Sequence, residues 1–132
     1  MNETAKDAPQ PDLRSWIDTL EAAGELKRIS ARVDWDEEIG AVTRANMALG
    51  GPALIFENIR DHADTLCTRL MTCGLSTRAR TAMMAGLAPS VSDRDMVRHF
   101  KDRYRNPIPP VVVGTGPVKT HVLRDNQIDI GQ

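Results

Sequence analysis

Aromatic side chains are scarce, with two Trp, two Phe and one Tyr in 132 residues. That leaves little with which to stack on bases or sugar rings. No apolar run approaches the roughly 18 residues that a membrane-spanning helix needs. No charge of one sign dominates: 17 basic residues meet 18 acidic ones, for a net charge of -1. A nucleic-acid module needs a basic face to neutralise phosphates, and an electrostatic membrane anchor needs a basic cluster. Neither description fits. Cysteine is nearly lacking as well. Cys67 and Cys73 match no zinc or redox spacing. In an extended segment they stand farther apart than the ~7 Å between Cα atoms that a disulfide allows. Both are expected as reduced thiols, and the location as cytoplasmic.

What remains is enough for one domain. A chain of this size buries roughly two-thirds of its unfolded surface. The leader 1–11 is polar, lacks the apolar stretch of a signal peptide, and is expected to be disordered. Asp12 suits the N-cap of a helix to about Ala23, with Trp16, Ile17 and Leu20 on one stripe and Gly24 closing it. Ile29, Ala31 and Val33 alternate with polar residues, as in a strand. Asp34 and Asp36 compete to cap the next helix, with Glu37 at capping-box spacing from Asp34. Ile39, Val42, Ala45 and Leu49 would share its apolar face, and Gly50-Gly51-Pro52 ends it. Ala53 to Phe56 read as a buried strand, and Leu66 to Cys73 as another. Ser76 is placed to cap a helix that carries Ala82 and Met83. Ser92-x-x-Asp95 opens a further helix, with Met96, Val97, Phe100 and Tyr104 facing inward. Val111–Val113 and Val118–Val122 flank Thr115-Gly116-Pro117 as a C-terminal β-hairpin. The expectation is one α/β domain (α+β as the alternative) over residues 12–124, with a mixed sheet of four or five strands. Residues 125–132 would lead onward.

Few residues suggest chemistry. Asp34, Asp36, Glu37 and Glu38 crowd around Trp35, but acid/base work needs two carboxyls converging from different environments. At a helix start the same acids are stabilised by the macrodipole, by about 0.3–1 kcal/mol each. Trp35 then reads as a packing or interface residue. His62, His99 and His121 show no ligand spacing. Gly114-Thr115-Gly116 lacks the third glycine and the following helix of a dinucleotide loop. No nucleophile elbow occurs. No catalytic, cofactor-binding or metal-ligating residue is assigned. The Ser76–Arg80 segment is the one candidate anion site. There a hydroxyl, free N–H groups and arginines could meet, with Ser76 and Arg78 the first choices.

The order DLRSWIDTLEAAGELKRIS, then VDWDEEIGAVTR, then GGPALIFENI resembles the N-terminal domain of UbiD-type decarboxylases. A weaker likeness runs through Leu66–Leu87 and through PIPPVVV to DNQIDI, so that Asp12 to Ile130 are covered. The TLCTRLMTCGLST stretch departs from the family, which carries a proline-led strand and an asparagine before its glycine. The resemblance implies reversible, non-oxidative (de)carboxylation of an aromatic, heteroaromatic or unsaturated acid. It also implies prenylated FMN, Mn2+ and K+ in the complete enzyme, with the flavin as electron sink while CO2 leaves. Implied partners are the cofactor and C-terminal domains, a flavin prenyltransferase indirectly, and further copies in a homo-oligomer. The family's catalytic arginine and paired glutamates match nothing here. This chain is therefore expected to be a structural N-terminal domain, fragment or small subunit, inactive and flavin-free alone. The alternatives are a free-standing interaction or regulatory module and an anion-binding domain.

Overall fold

The computed structural model describes residues 12–128. The chain divides into two compact units, one ending at Arg98 and one beginning at His99.

The first unit opens with α1 (Leu13–Ala22), capped as the sequence suggests. Asp12 accepts from the Ser15 N–H, and the Ser15 hydroxyl accepts from the Asp12 N–H. Gly24 leaves the helix at φ +71°, a conformation that costs glycine nothing. β1 (Leu26–Ile29) follows, then α2 (Glu38–Ala48), β2 (Ala53–Phe56) and β3 (Leu70–Thr72). β1 and β2 run parallel with α2 as their crossover, and β3 adds antiparallel to β2. Long crossovers of this kind are what parallel pairing requires.

β2 is the centre of this unit. All four of its residues are buried, because the strand has a neighbour on each edge and a helix over each face. Arg28, Ile55 and Met71 are in register and share one face, over which α1 lies. Leu54 and Phe56 point the other way and form the main core with Val33, Ile39 and Ile59. Full burial of a side chain such as Phe56 or Leu20 contributes about 1.5–3 kcal/mol. α3 (Arg78–Met84) sets Arg80 and Ala82 at zero exposure.

Several expectations need correction. The sheet has three strands among the described residues, not four or five. The first strand stops at Ile29, and Val33 returns only for a single parallel bridge to Ile59. The strand expected over Leu66 to Cys73 shrinks to three residues, since β2 offers only four partners and Cys73 turns away at φ +60°. The inward face of α2 is Ile39, Thr43 and Asn46. Thr43 bonds Thr72, and Asn46 bonds the Pro52 carbonyl. Val42 and Leu49 are exposed instead.

α4 (Asp93–Arg105) starts where Ser92 predicted, with the Ser92 hydroxyl accepting from the Asp95 N–H at 3.1 Å. It has no buried residue; Met96 and Phe100 are half-covered, while Val97 and Tyr104 stand exposed. In the second unit the expected hairpin is missing. Val111 to Val113 are exposed and in no strand, and Pro117–Lys119 form a short 3-10 turn. Proline supplies the reason. Pro107, Pro109 and Pro110 remove ladder donors. Pro117 seeds a turn in which Thr120 N–H reaches the Pro117 carbonyl. β-branched residues favour strands only where a neighbour covers them. The leader 1–11 and residues 129–132 lie outside the described residues.

Candidate functional site

Three places in the first unit gather side chains with chemical potential. One is the corner where β1 and β2 give out at their carboxyl ends. Val33 bonds across to Asn58, and the two following turns sit side by side. Asp34 does not cap α2. Its carboxylate instead accepts from the Asp36 N–H at 3.0 Å and from Arg60 at 2.8 Å. These bonds, the backbone one foremost, hold the Asp34 carboxyl below its ordinary range. Glu38 reaches back to the Asp34 N–H at 2.6 Å. Glu37 occupies the cap position at φ +62° and makes no side-chain cap bond. A non-glycine residue there is strained. Trp35 is 55% exposed and meets His62 edge-on, with ring centroids 6.0 Å apart. His62 Nδ1 lies 2.8 Å from the Arg60 carbonyl oxygen. The Asp34 and Glu38 carboxylates are spent on turns and an ion pair, so the geometry is that of a braced corner topped by an exposed indole.

The second place is the start of α3. Thr77, not Ser76, is the N-cap, accepting from the Arg80 N–H. Ser76 and Arg78 are not brought together around an empty space. Arg78 pairs with Asp93, while Ser76 Oγ accepts from Arg80. Arg80 is the residue that sequence reasoning passed over. It is fully buried and donates to Glu25 at 2.7 Å, to the Gly51 carbonyl at 2.8 Å and to Ser76 at 2.8 Å. It thereby ties α3 to the residues preceding β1 and β2. Its Nε has no partner. Its place four residues after Ser76, next to apolar Ala79 and Ala82, was the available signal.

The third place is a cleft of about 700 Å3 between α1 and the segment leading into β3. Its floor includes Ile55 and Met71, and its walls carry Arg14, Arg28 and Arg69. Arg28 is held by Glu21 at 2.8 Å and Glu57 at 2.9 Å. These bonds lower the Glu21 pKa and raise that of Arg28. Among the described residues no ion pair engages Arg14 or Arg69.

No group of three or more His, Cys, Asp or Glu among the described residues is arranged to hold a metal. Gly116 heads a three-residue 3-10 turn rather than a helix that could receive a phosphate. Among the described residues, therefore, neither a carboxylate–histidine cluster for Mn2+ nor a glycine turn opening a helix for a flavin phosphate is formed at these places. Cys67 and Cys73 are free thiols. No described helix is long and apolar enough to cross a membrane.

A small α/β domain with a βαβ unit, a buried arginine node and two open surfaces, and with no converging catalytic groups among the described residues, defines the class. The family follows from comparison. Residues 17–102 match the family described as 3-octaprenyl-4-hydroxybenzoate carboxy-lyase N-terminal domain, and the chain belongs to it. A pyrrole-2-carboxylic acid decarboxylase of Pseudomonas aeruginosa is 32% identical over 125 residues, which are 90% of this chain and 25% of that protein. Among solved structures, the closed form of the vanillic acid decarboxylase of Sedimentibacter hydroxybenzoicus superposes with a TM-score of 0.73 at 29% identity. It covers 89% of this chain and 25% of that one. The UbiD-class enzyme HmfF of Pelotomaculum thermopropionicum, in complex with FMN, gives 0.66 at 28% identity over 86% of this chain and 24% of that one. The chain thus spans about a quarter of the length of these relatives.

Proposed function

We propose that this chain is the N-terminal domain or small subunit of a UbiD-type decarboxylase. The complete enzyme interconverts an aromatic, heteroaromatic or unsaturated carboxylic acid with its decarboxylated product and CO2. The reaction is R–COO⁻ + H⁺ to R–H + CO2, which needs no external oxidant or reductant. The carrying observation is the 32% identity to a pyrrole-2-carboxylic acid decarboxylase across 90% of the chain. The FMN complex of HmfF supports a flavin in the complete enzyme, and prenylated FMN is the form proposed. Bound there, it supplies an electron sink for the carbanion left by CO2. Mn2+ and K+ belong to the same proposal, as do a flavin prenyltransferase upstream, a homo-oligomeric enzyme and a cytoplasmic location. All these groups are held by the remainder of the enzyme. This chain contributes framework, and Trp35 is an interface residue of the assembly.

The test is to produce the complete polypeptide or two-chain enzyme with a flavin prenyltransferase. Exchange of labelled bicarbonate into pyrrole-2-carboxylate, vanillate and an unsaturated acid is then measured. Exchange with at least one acid, and none with the 132-residue chain alone, is expected. A complete enzyme that retains flavin yet exchanges no acid of these classes sinks the reading, and so does activity in the lone chain.

A further inference from the structure

We propose that the cleft between α1 and the approach to β3 is a docking site for an acidic–apolar polypeptide segment from the remainder of the decarboxylase. This inference rests on the decarboxylase reading above. Five observations support it. The floor is apolar and already rigid: Ile55 lies in the fully buried central strand, with Met71 beside it in register. The rim is also apolar, yet open. Leu13 is largely exposed and Leu66 completely so. A leucine held wholly in water at the edge of a groove contributes nothing to the fold until it is covered.

Charge decides the occupant's chemistry. Three arginines and a single carboxylate, Asp18, line the cleft. Arg28 is neutralised by Glu21 and Glu57, which leaves Arg14 and Arg69 without an ion pair among the described residues. Neither has a carboxylate within ion-pair distance among the described residues, and arginine is enriched at interfaces because its fork pairs with carboxylates at modest desolvation cost. Openness decides the occupant's size. Small-molecule sites enclose most of their ligand, and this groove does not. Finally, the relatives are about four times as long as this chain, so most of the enzyme is available to cover the cleft. Isoleucine and methionine on the floor with arginines on the walls match the apolar core and polar surround of protein interfaces.

The experiment uses the complete enzyme, with a photo-crosslinking p-benzoylphenylalanine in place of Leu66. Because Leu66 is fully exposed, the substitution is expected to leave folding intact. Irradiation is expected to link it to a segment outside residues 1–132 that carries Asp or Glu among apolar residues. The Arg14→Gln/Arg69→Gln double variant should lower the yield at least tenfold, while Lys27→Gln, an exposed site away from the cleft, leaves it unchanged. Loss of cross-linking in an enzyme that still binds flavin and exchanges bicarbonate would overturn the docking site and leave the decarboxylase reading standing. Cross-linking to a basic segment, to residues 106–128 or to a second copy of Leu66 overturns it equally. An enzyme that retains flavin yet exchanges none of these acids sinks the functional reading instead.

Discussion

Arg80 and Arg78 stand two positions apart and do opposite work. Arg80 is wholly buried and ties α3 to the residues preceding β1, β2 and α3 itself through Glu25, Gly51 and Ser76. Breaking a buried ion pair by deleting one partner costs about 3–5 kcal/mol. Glu25 keeps more than a third of its side chain in water and can resolvate, so Arg80→Met is expected near the lower end, about 3 kcal/mol. Arg78 forms an exposed pair with Asp93, and such pairs contribute about 0–1 kcal/mol. Arg78→Ala should therefore shift the urea midpoint only slightly. Equal losses for the two variants in urea titrations would refute the node. The sequence favoured Arg78 because it lies nearer the helix start, where anions bind. Burial inverts that ranking, since it depends on Glu25 and Gly51 meeting α3 from 55 and 29 residues away. Local spacing carries no information about such partners.

Elements were legible where one residue decides them. Asp12, Gly24, Gly50 and Ser92 mark helix ends that the structure keeps, and Ala53–Phe56 form the strand their apolar run suggested. The inward face of α2 was not legible, because Thr43 and Asn46 face the sheet through hydrogen bonds rather than apolar area. Gly51 shows how tight this corner is. A Cβ at Gly51 would collide with the Asn46 amide and approach its Cγ to 2.8 Å. The same amide donates to the Pro52 carbonyl at 2.8 Å. Overpacking of this kind costs about 1–3 kcal/mol. Gly51→Ala should show that loss, and it should shrink in an Asn46→Ala background, where the obstacle is gone; additive losses in the double-mutant cycle would count against the collision. Two carboxylates of the first unit carry a pH signature too. Glu21 and Asp34 have pKa values lowered in the fold, Glu21 mainly by Arg28 and Asp34 mainly by the Asp36 N–H. A depressed carboxyl stabilises above its unfolded pKa, and that contribution is lost as pH falls through the folded value. The urea midpoint should hold between pH 8 and 6 and drop below about pH 4. Glu21→Gln should soften the drop, and an unchanged profile in that variant would remove Glu21 from its cause.

At the scale of the molecule, the two units differ in what holds them. The first has a sheet, a core and the Arg80 node. In the second, the backbone bonds outside helices join residues three apart: Asn106 to Arg103, Lys119 to Gly116, Gln127 to Arg124. Its apolar residues Ile108, Val111, Val112, Val113 and Val118 are all exposed. Segments with only local bonds open at little free-energy cost. Their β-branched run suggested a hairpin, since strand preference describes a covered, pleated surface, and nothing within the described residues covers this one. Such a surface on a domain a quarter the length of its relatives favours cover by the remainder of the enzyme. Limited trypsin digestion separates the alternatives. In the lone chain, cleavage after Lys101, Arg105, Lys119 and Arg124 should precede any cut within α1 to β2 by at least tenfold. In the complete decarboxylase the same sites should be protected, with hydrogen exchange at Val111–Val113 slowed in parallel. Equal rates at those sites in both forms would mean that the valine segment stays uncovered, and the assembly would then have to be held by the first unit alone.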